Sequence, residues 1–235
     1  MHKQLIIQIL EDNYARATVF EFFGIAYPNY LNESLEQVAA YYGLDIQVLA
    51  DALEQIKGKS PVFDYNYLEL PVLISYLKFT HHEYARAKLP HIKKNMELLG
   101  MEEELAVFQR FSRDLQKHIL LEEKVIFPFI LNLHELLEEF DPRIAAQVVK
   151  ENSTEVLCAS HTTDDDEMRE LREVTSGYTY QSDDSIVKKV LMTDLKRLEE
   201  DIHVHANIED DILFRKAKLA EKQVKERLQS HYRNN

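Results

Sequence analysis

Two short stretches each place a histidine four residues before a glutamate. They are His118-Ile-Leu-Leu-Glu122 and His205-Ala-Asn-Ile-Glu209, and each runs on into aliphatic residues and a phenylalanine. Residues four apart lie one turn apart on the same face of a helix, so a histidine nitrogen and a glutamate oxygen can reach one metal ion. Two copies of this arrangement predict two helices that deliver ligands to a shared metal site.

Two further histidines, His82 and His161, lie on apolar helical seams that precede the first and second of these stretches. A lone seam histidine is more often a hydrogen-bonded core residue than a ligand, and a single His-x-x-x-Glu is common as a surface pair. Two such pairs together with two seam histidines favour the metal interpretation. The predicted metal ligands are His82, His118, Glu122, His161, His205 and Glu209.

The predicted ligand set comprises four imidazoles and two carboxylates on inward-facing seams. Burying such groups without partners costs several kcal/mol for each bare charge, and metal binding removes that cost. Structural zinc prefers four ligands, often with cysteine, whereas iron and manganese accept five or six nitrogen and oxygen ligands. We therefore predict two ions, iron or manganese rather than structural zinc, with oxo or hydroxo bridges filling further positions. Glu122 and Glu209 can each bridge both ions, and the spacing does not assign histidines to particular ions.

The residues beside the predicted ligands are expected to have other roles. His81 and His203 fall next to the seams. We expect each of them either to contact a ligand or to lie on the surface. Glu123 follows Glu122 but points about 100° away on a helix, so it is expected in solvent.

We interpret Asp164 and Asp165, one turn after His161, as part of an acidic helix face. The alternative is that they are auxiliary metal ligands or line a path for iron. The single cysteine, Cys158, is interpreted as a small buried residue. One cysteine permits no disulfide within the chain and no cysteine-based zinc or iron–sulfur site.

Four long helices with apolar seams are predicted to position the ligands. They run from His82 to Leu99, from about Glu103 to Phe140, from about Pro142 to Val174, and from about Asp183 past Phe214. The lone histidines fall on the first and third helices, and the His-x-x-x-Glu pairs on the second and fourth. Short connections make successive helices antiparallel neighbours, so the pattern predicts an all-α four-helix bundle.

A small helical module is predicted before the bundle, in residues 1–58. Within it Ser34 and Asp45 have the character of helix N-caps, and Gly43 that of a helix end. The Gly-, Ser- and Pro-containing stretch 58–66 is the candidate linker. The bundle is assigned to residues 67–220. Residues 221–235 are assigned to a polar tail, fraying and then disordered from Gln229.

Composition limits the other possibilities. Five glycines, six prolines and no tryptophan fit long helices better than an all-β fold. The net charge of −13 argues against nucleic acid and anionic membranes as partners. No run approaches the ~18 apolar residues of a membrane span, and the N-terminus lacks the features of a signal peptide. We expect a cytoplasmic protein, and a homodimer is left open.

The order of the predicted ligands, with Ile-Phe-Pro after the first pair and Ile-Leu-Phe after the second, resembles the hemerythrin-like HHE cation-binding superfamily. Within it the chain is similar to the repair-of-iron-centres family of di-iron iron–sulfur cluster repair proteins. Leu89-Pro90 after His82 fits that family. So do Ala15-Arg-Ala-Thr-Val-Phe20 and Leu44-Asp-Ile-Gln-Val-Leu49, which resemble its short N-terminal domain.

Two positions depart from the family pattern. The family has a vicinal cysteine pair followed by glycine where this chain reads Tyr27-Pro28-Asn29-Tyr30. The resemblance therefore carries no thiol-based role to this position. The acidic residue that the family places before the third histidine is Ser160 here.

The resemblance implies two non-haem iron ions with an oxo or hydroxo bridge, with manganese or zinc less favoured, in a protein that helps to restore iron–sulfur clusters damaged by nitric oxide or oxidative stress. It would supply iron or act on nitric oxide, and its partners would be the damaged iron–sulfur proteins. The alternative is a hemerythrin-like protein that senses O2 or NO, or stores iron, without repair activity. A third possibility is a bundle that holds zinc or no redox metal.

Overall fold

The computed structural model describes residues 1–56, 64–159 and 166–234, and α-helices dominate these ranges. Their only extended pairing is an isolated bridge between Leu5 and Ser34. The predicted all-α class is therefore confirmed. In chain order the α-helices are α1 Ile6–Asp12, α2 Ala17–Phe22, α3 Leu35–Tyr42, α4 Ile46–Gln55, α5 Leu70–Tyr76, α6 Glu83–Leu98, α7 Glu102–Leu121, α8 Phe127–Glu138, α9 Pro142–Glu151, α10 Thr154–Ala159, α11 Arg169–Val174, α12 Ile186–Ile208 and α13 Phe214–Asn234.

Helix caps define the N-terminal helices as the sequence predicts. The Ser34 hydroxyl accepts a hydrogen bond from the N–H of Gln37, whose side chain accepts in turn from the N–H of Ser34. The Asp45 carboxylate accepts from two N–H groups in the first turn of α4. Gly43 ends α3 at φ 65°, a conformation that costs glycine nothing.

The chain forms two compact units. The first takes the described residues of Met1–Val62 together with Lys88–Phe108 and Glu170–Leu198. Its core joins apolar residues of α1 to α4, such as Leu10, Phe20 and Leu53, to the start of α12.

The second unit takes the described residues of Phe63–Ala87, Gln109–Arg169 and Glu199–Asn235. Its core packs apolar side chains of α5, α8, α9 and α13 against one another, among them Leu73, Leu133 and Ala217. The predicted boundary between a module at 1–58 and a bundle at 67–220 stays a prediction.

Three π-helical segments interrupt the long helices. Their bounds are Leu77–His82 between α5 and α6, Glu122–Ile126 between α7 and α8, and Glu209–Leu213 between α12 and α13. In each, a backbone N–H donates to the carbonyl five residues earlier, as from Phe127 to Glu122 and from Phe214 to Glu209. Such one-turn π segments lie frequently at functional sites.

The prediction of one continuous third helix, from about Pro142 to Val174, is wrong. This stretch is divided into α9, α10 and α11, with residues 160–165 outside the described ranges. The break comes at Asn152, whose backbone is extended. A new helix begins at Thr154 because its N–H donates to the carboxylate of Glu221 at 2.8 Å.

The expected disorder from Gln229 is also wrong for the described residues, because α13 continues to Asn234. Val224 and Leu228 are buried in the core of the second unit, so hydrophobic packing holds this helix. Most of the candidate linker lies outside the described residues, and Tyr65–Tyr67 forms a short 3-10 turn. In the described ranges, no helix is both long and apolar enough to span a membrane.

Candidate metal centre

Five of the six predicted ligands meet in the second unit, and His161 lies outside the described residues. The His82 Nε2 atom is 2.9 Å from Glu122 Oε2, and the His118 Nε2 atom is 2.7 Å from Glu122 Oε1. The His205 Nε2 atom is 3.3 Å from Glu209 Oε1. Helices far apart in the chain thus bring these nitrogen and oxygen donors into one cluster. Their role as ligands stays a prediction.

Glu122 is common to two groups of donor atoms. In one, ligand atoms of His82, Glu122 and His205 lie within 4.8 Å of one another. In the other, ligand atoms of His118, Glu122 and Glu209 do so. One carboxylate oxygen of Glu122 faces His82 and the other faces His118. This is the arrangement in which one carboxylate can touch two neighbouring ions.

The π segments lie where the donors lie. His82 is the last residue of the first segment, while Glu122 and Glu209 are the first residues of the other two. A π turn holds one residue more than an α turn, so it shifts the helical face that follows. These three donors therefore sit where their helices change register.

The donors fit a metal in chemistry and in burial. Glu122 and Glu209 are fully buried, and His82 is 1% exposed. His82 also lies flat against Phe127, with ring centroids 5.6 Å apart and planes 9° apart. Carboxylates in such surroundings need a cation or a proton beside them. Imidazole and carboxylate donors suit iron, manganese or zinc rather than the soft metals that thiolates select.

Glu123 corrects the sequence prediction, which placed it in solvent. Its carboxylate accepts a hydrogen bond from His82 Nδ1 at 2.9 Å and from Arg86 at 2.8 Å, and its side chain is 16% exposed. Burial alone would raise the pKa of Glu123, but the hydrogen bonds from Arg86 and His82 lower it overall. Because an ionised carboxylate only accepts, the proton of His82 is on Nδ1, and Nε2 is directed at Glu122. Second partners of this kind fix the orientation of metal-binding histidines.

His81 is a buried neighbour of the donors. Its Nδ1 donates to Asp201 at 3.0 Å, and its ring stacks on His205 with centroids 5.5 Å apart. His203 is exposed. Asp164 and Asp165, the alternative iron path, lie outside the described residues.

Neither the position of the family's cysteine pair nor Cys158 offers a reactive thiol. Tyr27 begins the stretch that stands in place of the pair, and its buried hydroxyl accepts a hydrogen bond from Asn95 at 3.2 Å. Burial raises the pKa of the Cys158 thiol, which disfavours the thiolate.

Residues 74–217, more than half of the chain, match the hemerythrin HHE cation binding domain. The chain belongs to the hemerythrin HHE cation-binding family. This family assignment fits the buried cluster, since all five described donors fall inside the matched range.

The chain is also similar to the iron-sulfur cluster repair protein ScdA of Staphylococcus haemolyticus (strain JCSC1435). The two are 21% identical over 225 residues, which cover 92% of this chain and 98% of the relative. The likeness therefore extends beyond the cation-binding domain into the N-terminal residues.

Proposed function

We propose that this protein holds two iron ions in the second unit and takes part in restoring iron–sulfur clusters damaged by nitric oxide or oxidative stress. The observation that carries the di-iron proposal is the position of Glu122. Its two oxygens face different histidines, and it belongs to both groups of donor atoms. A single ion would leave one of these groups without a role.

In this proposal Glu122 would contribute to holding both ions. His82 and His205 would hold one of them with it, and His118 and Glu209 would hold the other. His161 is proposed as the remaining histidine ligand, in keeping with the sequence pattern. Bound iron would supply the redox and ligand-exchange chemistry, while the protein orients the donors and limits the access of water.

The geometry also supports iron donation. Each glutamate of the cluster has a histidine nitrogen within 3.3 Å of one of its oxygens, so a proton on that imidazole would lie beside the carboxylate. A proton can therefore take the place of a departing cation, which lowers the cost of leaving the carboxylate buried. A centre built in this way can release iron without unfolding.

Similarity to a protein named for iron–sulfur cluster repair supports the repair role, together with the sequence resemblance to the repair-of-iron-centres family. The proposed partners are damaged iron–sulfur proteins in the cytoplasm, with nitric oxide and O2 as small ligands.

The first test is the metal content of anaerobically purified protein, paired with its near-ultraviolet spectrum. About two irons per chain, with an oxo-bridge absorption band that is lost in Glu122→Ala, would support the proposal. One zinc, or no iron after anaerobic reconstitution with Fe2+, would overturn it.

A second candidate function, O2 or NO sensing or iron storage without repair, is favoured by one specific observation. The family's cysteine pair is replaced by Tyr27-Pro28-Asn29-Tyr30, and the Cys158 thiol has a raised pKa. Mixing the iron-loaded protein with an apo iron–sulfur acceptor separates the two functions. Iron transfer faster than spontaneous release supports repair, whereas a stable, reversible O2 adduct without transfer supports the alternative.

A further inference from the structure

A second set of metal-binding side chains lies outside the buried centre. Glu199 and His203 are four residues apart on α12, and Asp166 lies just before α11. Ligand atoms of the three side chains are within 4.8 Å of one another. Asp166 and His203 are exposed and Glu199 is half-buried, so the set meets solvent. We call these three residues the outer triad.

The outer triad shares a cavity with the buried centre. The cavity has a volume of about 70 Å³, and its walls include all three triad residues together with His118, His205 and Glu209. This space is large enough for several water molecules. A cation at the triad therefore lies at the wall of the same space that reaches donors of the centre.

The composition of the triad suits a borderline divalent cation. Two carboxylates and one imidazole offer oxygen and nitrogen donors, which is the mixture that Fe2+, Mn2+ and Zn2+ accept. The two carboxylates also lower the local electrostatic potential at the mouth of the cavity, which raises the local concentration of cations. Histidine adds a donor that an ordinary acidic surface lacks.

We propose that the outer triad is a transient binding site for a divalent first-row cation on its way into or out of the buried centre. This inference rests on the proposed function. An exposed triad leaves part of the coordination sphere to water, so it binds more weakly than the centre and exchanges its cation faster. The cation then loses its water in two steps rather than one.

The first experiment uses Mn2+ as the probe, on full-length protein whose centre is already filled with iron. Electron paramagnetic resonance measures the free Mn2+ that remains during a titration. We expect one additional Mn2+ site per chain in the wild type, and its loss in the double variant Glu199→Gln/His203→Gln. The matched control is Glu200→Gln, which makes the same charge change at the next residue, an exposed side chain that does not line the cavity.

The second experiment measures how fast metal-free protein takes up Fe2+ under anaerobic conditions, followed by stopped-flow absorption. We expect the double variant to load about tenfold more slowly and to reach the same final iron content, because the triad acts on the rate of entry and not on the affinity of the centre. The Glu200→Gln control should load at the wild-type rate. Circular dichroism of each variant confirms that it is folded.

The possible outcomes separate the two proposals. Normal iron content with no additional Mn2+ site, or equal loading rates in the wild type and the double variant, would overturn the triad and leave the proposed function intact. Absence of iron binding by the wild type would overturn the proposed function. A double variant that binds Mn2+ as the wild type does would place the additional site elsewhere and overturn the triad.

Discussion

Glu122 is the residue on which the centre depends most, because both of its oxygens are directed at donors. Glutamine has the same shape but only one carbonyl oxygen, so it cannot bridge two cations. We expect Glu122→Gln to bring the iron content from about two per chain to one or fewer, with loss of the bridge absorption. Metal analysis after anaerobic reconstitution measures this. Glu135→Gln, an exposed position on α8, is the control. An unchanged iron content would refute the bridging role.

Glu123 acts on the centre through His82. Its carboxylate accepts the Nδ1 proton of His82 and is itself held by Arg86. Removing such a partner typically costs 10- to 100-fold in metal affinity, and we expect about that loss in Glu123→Gln. Competition with a chelator of known affinity measures it. Glu83→Gln removes the other, exposed partner of Arg86 and should have little effect. If both variants lose affinity equally, the effect belongs to Arg86 and not to the orientation of His82.

The candidate ligands of the centre could be predicted from the sequence, but the contact between His82 and Glu123 could not. The i, i+4 spacing fixes which side chains share a helix face, and this brings His118 beside Glu122 and His205 beside Glu209. Glu123 was placed in solvent because a projection of one helix cannot show contacts with another. Its partners, His82 and Arg86, come from a helix about 40 residues earlier. The Glu199-x-x-x-His203 spacing is a signal of the same kind for the outer triad.

The π segments set the register of the elements that carry the donors. Deleting one exposed residue from the segment Glu209–Leu213, such as Asp211, should convert it to ordinary α-helix. Because a π turn holds one residue more than an α turn, the helix after the deletion keeps nearly the same face toward the core, but the backbone turn that directs the Glu209 side chain is remodelled. We expect iron binding to be lost while the helical circular dichroism signal is largely kept. Asp211→Ala leaves the chain length unchanged and should bind iron normally. Normal iron content in the deletion variant would show that the π turn is dispensable.

A buried charge cluster joins three helices of the first unit. The Lys88 ammonium on α6 donates to Thr18 and Glu21 on α2 and to Asp194 on α12, at 3.0, 2.7 and 3.1 Å. Burial raises the pKa of Asp194 to about 6, although Lys88 acts to lower it, and burial also raises the pKa of Glu21. Two carboxylates therefore share one buried ammonium.

The raised pKa of Asp194 makes stability depend on pH. Between about pH 4 and pH 6 the folded chain keeps a proton that the unfolded chain has released, so stability falls as the pH rises through this interval. In Asp194→Asn the side chain at this position cannot titrate, so the variant lacks this fall in stability. We expect the free energy of unfolding of the wild type, relative to Asp194→Asn, to fall on the order of 2 kcal/mol between pH 4 and 7.

Denaturant unfolding of metal-free protein at several pH values measures that difference. Titrating groups away from this cluster are common to the wild type and the variant, so they cancel, and Glu21 is the one partner of Lys88 that the substitution also affects. Asp183→Asn, at an exposed position before α12, is a matched control and should follow the wild type. Parallel stability curves for the wild type and Asp194→Asn would contradict the assignment.

Helix boundaries were predictable where local signals set them and unpredictable where distant residues did. Ser34 and Asp45 cap their helices through their own neighbours, and these ends were anticipated. The break before Thr154 depends on Glu221, 67 residues later, and no local pattern marks it. The π segments could not be predicted for a different reason. An apolar seam that shifts by one residue still has the pattern of a continuous apolar stripe.

The fold class was predictable from the whole sequence, because few glycines and long apolar seams of helical period indicate an all-α fold. The division into units was not. Helices α6, α7 and α12 each contribute residues to both units, and the apolar seam of a single helix does not show where such a change falls. Composition and spacing describe individual helices, but which segments pack together depends on contacts between them.

Metal removal tests the molecule as a whole, because a cation that binds only the folded state stabilises it by mass action. At a free Fe2+ concentration about 100 times the dissociation constant, the gain is roughly 3 kcal/mol. For a chain of this size that corresponds to about 5–10 °C in the melting temperature. We expect a water-soluble Fe2+ chelator to lower the melting temperature of the purified wild-type protein by this amount under anaerobic conditions. The variant Glu122→Gln, which holds little iron, should already melt at the lower temperature and respond little to chelator. Equal shifts in both proteins would mean that the chelator acts elsewhere, and no shift in the wild type would mean that iron contributes nothing to the folded state.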